Sequence, residues 1–173
     1  MAELIHFEFV NLPPCRVIGR ELTLSMEEMA KANPVPAFWG KCFEENAFAP
    51  LEALGDALYN DALADAAGAY LDWMGDVEPD GRFRCLVGML AKPGTEPPQG
   101  YAFKDLPAGT LALGQIKGPE SEIYSQSESL VMPLIKKAGK KPAGYMMEVY
   151  ACPRFTTPDE NGCVVLDYYM EVQ

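Results

Sequence analysis

The feature that most constrains this chain is a pattern that occurs twice. Leu12-Pro13-Pro14-Cys15-Arg16-Val17-Ile18-Gly19-Arg20 resembles Leu106-Pro107-Ala108-Gly109-Thr110-Leu111-Ala112-Leu113-Gly114-Gln115 with one inserted residue. Each is a proline-marked strand entry, followed by a helix starting near serine or glutamate and then by two strands. That order predicts two successive β-α-β-β units sharing one sheet around a pseudo-twofold axis. Helices segregated over a largely antiparallel sheet make the class α+β. One repeat takes about residues 12–106 and the other about 107–173, within a single domain spanning 1–173.

The elements are read from periodicity and punctuation. Leu4 to Val10 alternates, with Ile5, Phe7 and Phe9 on one face, and Pro13-Pro14 breaks it. A second strand runs from about Cys15 to Leu24. Ser25 and Glu28 form a capping box for a helix that Pro34 and Pro36 interrupt, and helix resumes around Ala37 to Phe43. Residues 46–74 read as further helical material, rich in alanine and leucine, closed by Tyr70 to Asp76. Strands are then expected at Arg82 to Leu90, Tyr101 to Leu106 and Thr110 to Lys117. A helix follows from Glu120 to Ala138, where Pro133 is expected to kink or restart it. Tyr145 to Ala151 and Cys163 to Val172 complete the strands.

Composition excludes several classes. No apolar run approaches the roughly 18–20 residues a membrane span needs, and Met1 to His6 has no leader-like pattern, so a cytoplasmic protein is expected. The net charge is −11, from 25 acidic and 14 basic residues, which argues against direct contact with nucleic acid. Most of the acidity is in residues 1–86, as solvated helix surface or as a field that attracts cationic ligands or a DNA-binding partner. Five cysteines with no C-x-x-C pair suit a reduced compartment, and the single histidine, His6, gives little basis for a metal site. No metal or cofactor is expected. Phosphate-cradling glycine loops and a serine-hydrolase elbow are both missing.

The informative stretch is Gly144-Tyr145-Met146-Met147-Glu148-Val149-Tyr150. Alternation in a strand sends Tyr145, Met147, Val149 and Ala151 to one face, apolar enough to lie under helices, and Met146, Glu148 and Tyr150 to the other. In the final strand Val164, Leu166, Tyr168, Met170 and Val172 form the helix-covered face. Pairing of the two strands as a hairpin is then expected to place Tyr169 beside Glu148 and Tyr150. An acid among aromatic faces suits a cationic, apolar ligand, although an exposed glutamate on a half-solvated sheet gives the same pattern. Phe38, Trp39 and Phe43 are candidates for a rim or lid, or for core.

The sequence resembles the GyrI-like small-molecule-binding family, the effector-binding domains also found after DNA-binding segments in AraC- and MerR-type multidrug regulators. The resemblance rests on Arg16-Val17-Ile18-Gly19, Pro36-Ala37-Phe38-Trp39, Tyr70 to Asp76, Gly81-Arg82-Phe83, Leu106 to Thr110, Met147-Glu148-Val149-Tyr150 and Asp167-Tyr168-Tyr169. It implies a duplicated fold with a ligand groove between the halves, a pocket glutamate corresponding to Glu148, and bulky hydrophobic, often cationic ligands. With no helix-turn-helix expected before Leu4, the chain reads as an effector-binding unit rather than a complete regulator.

Binding of hydrophobic cations, with Glu148 as anchor and Tyr150, Tyr169, Phe38 and Trp39 around it, is the first functional expectation. The alternative is a hydrolase of electrophilic cyclopropane-type toxins, in which Glu148 is general base and Tyr169 or Tyr150 donates a hydrogen bond. A third is a protein-partner role towards DNA gyrase or a separate regulator.

Overall fold

A computed structural model describes all 173 residues, Met1–Gln173. In chain order the elements are β1 (Glu3–Leu12), β2 (Cys15–Ser25), α1 (Met26–Lys31), α2 (Val35–Glu44) and α3 (Phe48–Glu52), then a 3-10 turn over Gly55–Ala57. They continue as β3 (Tyr70–Gly75), β4 (Arg82–Ala91), β5 (Ala102–Leu106), β6 (Gly109–Pro119), α4 (Glu120–Lys137), β7 (Pro142–Tyr150) and β8 (Cys163–Val172). The fold is α+β.

All eight strands form one antiparallel sheet in the order β1-β6-β8-β7-β3-β4-β2-β5. Outward from the β7–β3 seam, each half presents the second, third and first strand of a β-α-β-β unit, then a single edge strand. The order is therefore palindromic, as two repeats about a twofold axis require. Its members differ from the expected ones in the first half. Tyr70–Gly75 is a strand rather than the end of a helical stretch, so β3 and β4 are the paired strands of the first unit and β5 is its edge. The cause is burial on both sides: a central strand shows no clean alternation.

Local signals explain where the helices begin. Ser25 accepts a hydrogen bond from the Glu28 amide at 3.2 Å, and the Glu28 carboxylate accepts one from the Ser25 amide at 2.7 Å, the expected capping box. α4 runs continuously from Glu120 to Lys137 through Pro133 rather than restarting there. Pro133 lies on its exposed side, where the unpaired carbonyl meets water.

The buried stripe Ile123, Ser127, Val131 and Ile135 of α4 recurs every fourth residue. The apolar members of this stripe pack on Ala112, Ile116, Leu166 and Tyr168 of β6 and β8. Gly114 lets the helix settle close, since a Cβ there would stand 2.4 Å from Val131 Cγ2. In the other half Cys42, Phe48 and Leu51 pack on Ile18, Phe83, Cys85 and Val87. Met146 and Tyr150 join the α4 cluster, while Tyr70 and Met74 join the α2–α3 cluster. Because Asp72 and Glu148 are direct partners across β3 and β7, both helical layers cover the same face of the sheet.

The opposite face holds Leu71, Trp73, Leu86, Met147, Val149 and Tyr169, covered by Ala62, Leu63 and Ala69 of the irregular segment before β3. This reverses one expectation: Tyr145, Met147, Val149 and Ala151 lie away from the helices, and Met146, Glu148 and Tyr150 lie beneath them. No helix is long and apolar enough to cross a membrane.

Candidate ligand-binding site

The centre of the sheet places two carboxylates side by side. Asp72 of β3 and Glu148 of β7 are register partners, and directly opposed residues of an antiparallel pair point to the same face. Asp72 is 0% exposed and Glu148 9%.

Tyr150, two residues along β7 from Glu148, is on the same face. Its hydroxyl lies 2.9 Å from Asp72 Oδ2 and 3.0 Å from Glu148 Oε2. Trp39, projecting from α2, donates its indole N–H to the same Asp72 Oδ2 at 3.0 Å. Asp72 Oδ1 is buried and has no hydrogen-bond partner.

Aromatic rings close over these acids. The Trp39 ring meets Tyr150 edge-on at 4.9 Å and stacks on Phe48 at 5.7 Å, and Phe48 in turn stacks on Tyr70. Phe155 meets Tyr150 at 4.7 Å, and Tyr124 of α4 approaches it at 6.5 Å. Both helical layers therefore contribute to one aromatic enclosure with two carboxyl groups as its floor.

Burial governs the electrostatics. Loss of water pushes the Asp72 carboxyl up to about 6, against the opposing pull of the Trp39 and Tyr150 hydrogen bonds. Burial raises Glu148 well above the usual carboxylate range, and its neighbour Asp72 raises it further. The Tyr150 hydroxyl is held neutral by burial and by both acids. No lysine, arginine or histidine pairs with either carboxylate. Neutralisation must therefore come from protons or from something that enters.

Of the residues expected from sequence, Glu148, Tyr150 and Trp39 come together here. Tyr169 does not: the register sets it against Met147, while Tyr168 opposes Glu148. Tyr169 is thus on the far face, 1% exposed in the apolar cluster, because a one-residue offset in a strand reverses the side. Phe38, next to Trp39 on α2, turns aside and lines a cleft of about 310 Å³ with Arg20, Lys41 and Tyr101. Phe43 lies outside the acids, 58% exposed and 5.9 Å from the Trp39 ring. Asp72, Tyr124, Phe48 and Phe155 were not expected. Asp72 had a signal: it is the lone acid between Leu71 and Trp73 in an apolar run that reads equally well as a strand.

The comparisons with known proteins agree with this architecture. The family model described as the GyrI-like small molecule binding domain matches residues 6–173. A bacterial transcription regulation protein from Staphylococcus aureus MU50 superposes with TM-score 0.68 at 15% identity, over 97% of this chain and 98% of that one. The structure of SAV2435 bound to tetraphenylphosphonium gives TM-score 0.71 at 16% identity, over 98% and 94%. The EcmrR C-terminal domain gives 0.53 at 16% identity, over 97% of each chain. Comparison with curated protein sequences gives no significant match. A family match over nearly the whole chain, on a palindromic sheet with solved structures of the same fold, means that this protein belongs to the GyrI-like small molecule binding domain family.

Proposed function

We propose that this protein binds bulky hydrophobic cations between α2 and α4, over the Asp72–Glu148 pair, in drug or toxin sensing or sequestration. One observation carries the reading: two carboxylates, 0% and 9% exposed, lie under aromatic rings with no basic side chain beside them. Buried charge is unfavourable unless it is paired. A cation supplies the missing partner, and ring faces of Trp39, Tyr150 and Tyr124 favour positive charge spread over an apolar body. The neighbour SAV2435, bound to tetraphenylphosphonium, shows the same fold with a ligand of that class.

Aromatic rings cover the two acids, so a ligand reaches them by displacing Trp39, Phe43 or Tyr124. Phe43 and Tyr124 are the exposed members of that cover. Titration of a fluorescent rhodamine cation into wild type and an Asp72→Asn/Glu148→Gln double variant tests the reading. We expect the double variant to bind at least tenfold more weakly. Equal affinity in the two proteins overturns it.

A second reading, hydrolysis of electrophilic cyclopropane compounds, is favoured by one contact. Tyr150, rather than Tyr169, is the hydroxyl within 3.0 Å of Glu148, whose carboxyl is raised by burial, the direction that general acid–base work requires. Mass spectrometry of such compounds after incubation tests it, and product formation that persists unchanged in Glu148→Gln rejects it.

A further inference from the structure

The two carboxylates share one hydroxyl. A phenol has one proton to give and lone pairs to accept with, so Tyr150 can donate to only one of its two neighbours. At 2.9 Å and 3.0 Å both contacts have hydrogen-bond length, which means that the second contact needs a proton from the acid itself.

The surroundings choose between the two arrangements. Trp39 Nε1 is a donor only, and it points at Asp72 Oδ2. If Tyr150 also donates to that oxygen, Asp72 holds two donors, and the Glu148 carboxyl completes the chain by donating to Tyr150 Oη. In the opposite arrangement a charged Glu148 has one donor, and Asp72 Oδ2 must carry a proton while still accepting from Trp39. Donors stabilise the charged form of an acid.

We infer that Asp72, and not Glu148, carries the negative charge of this site at neutral pH and is the carboxylate that meets a ligand cation. Glu148 keeps its proton and holds Tyr150 in place. Asp72 Oδ1, buried and without a side-chain hydrogen-bond partner, is the oxygen with lone pairs to offer a cation once the rings above it part. Burial raises both carboxyls above their ordinary values, so the donors that each one holds decide which ionises first.

The other groups facing the pair do not alter it. They are Tyr150 on β7, Tyr168 on β8, Cys85 on β4, and Tyr124 on α4 with its partner Glu120. All four of Tyr150, Tyr168, Cys85 and Tyr124 are pushed upward and stay neutral at pH 7, and Glu120 lies at the exposed end of α4. The ionisation of Asp72 and Glu148 therefore sets the charge of the site.

The ligand half of this inference rests on the cation-binding reading; the assignment of charge does not. Tetraphenylphosphonium is a suitable probe because its charge does not titrate. Calorimetry is run at pH 5, 6, 7 and 8 on wild type, Asp72→Asn and Glu148→Gln, alongside a carbon-13 carboxyl titration of the ligand-free wild type by NMR. Wild-type affinity is expected to rise about tenfold from pH 5 to pH 7 and then level, following a carboxyl near 6. Glu148→Gln is expected to keep that rise and most of the affinity. Asp72→Asn is expected to lose at least tenfold at pH 7 and to lose the rise.

The NMR titration is expected to show Asp72 ionising before Glu148. The reverse order, or a pH rise that disappears in Glu148→Gln and survives in Asp72→Asn, overturns the inference. Failure of tetraphenylphosphonium to bind at any pH, with Asp72 still ionising first, removes the cation-binding reading and leaves the charge assignment standing.

Discussion

On one side of β3 and β7 lie Leu71, Trp73, Met147 and Val149; on the other lie Asp72 and Glu148, with the same hydrogen-bonded ladder between them. Both sides are buried. On the first, burial removes apolar surface from water and stabilises the fold at about 25 cal/mol per Å²; the Trp73 indole N–H is its one buried polar atom without a partner. On the second, burial works against folding unless the carboxyls are protonated or matched. The comparison separates two uses of an interior: one face holds the sheet together, and the other keeps charge ready for a partner that the chain itself does not supply.

The largest expected effect breaks the first face. Trp73→Ala removes a fully buried ring from the cluster with Leu71, Leu86 and Met147, and it is expected to cost about 3–5 kcal/mol in urea unfolding. A cost under 1 kcal/mol means that this face is not the source of stability.

The second face is expected to respond in the opposite direction, and with pH. A carboxyl raised on folding takes up a proton as the chain folds. Its stabilising contribution is full below its unfolded value near 4 and is lost as pH rises through its folded value. For Asp72 that window runs up to about 6, and for Glu148 it runs well above the usual carboxylate range. The slope is at most about 1.4 kcal/mol per pH unit for each group. Ligand-free wild type should therefore melt lower at pH 8 than at pH 5. Glu148→Gln, which mimics the protonated acid, should be more stable than wild type at pH 8 and nearly equal to it at pH 5, as read from the Tm at each pH. A variant less stable than wild type at pH 8 removes the distinction between the faces.

Tyr150→Phe sharpens the comparison at the junction of the two acids. It deletes the shared hydroxyl and leaves Glu148 without its one side-chain partner, while Asp72 retains Trp39. The expected loss is about 1–3 kcal/mol of stability at pH 7, the usual result of leaving a buried polar group unmatched. The Trp39 fluorescence is also expected to change, because the ring 4.9 Å from it is no longer anchored to the carboxyls by its hydroxyl. A variant indistinguishable from wild type in both measurements argues that the hydroxyl bridges nothing.

How much of this was legible in the sequence depends on which strand is considered. In β7 and β8, alternation from Tyr145 to Ala151 and from Cys163 to Val172 marked both elements, though β7 begins earlier, at Pro142, and Glu148 and Tyr150 stood out as a polar pair in an apolar strand. β3 is six residues long, buried on both faces and preceded by alanine-rich sequence, so neither period is visible and Asp72 was hidden with it. Register was the other missing quantity. Sequence gives the two faces of each strand but not which residue of one opposes which of the other, and a shift of one position exchanges Tyr168 for Tyr169. The repeat in the strand entries survived both failures, because the topology depends on the order of elements and not on their exact members.

Tyr169→Phe offers the smallest and most discriminating effect. The residue neighbours Tyr168 in sequence, yet register places it against Met147 on the apolar face, with a full β-sheet between its ring and the carboxylates. Removing a hydroxyl there changes neither the charge nor the shape of the enclosure around Asp72. Tetraphenylphosphonium affinity should stay within about twofold of wild type. Stability should shift by no more than about 1 kcal/mol, since the ring that fills the core is retained. Tyr168→Phe, on the carboxylate side, is the matched control, because its ring opposes Glu148 directly. If Tyr169→Phe weakens the cation tenfold while Tyr168→Phe does not, the pairing of β7 with β8 is one residue out of place and the two faces must be reassigned.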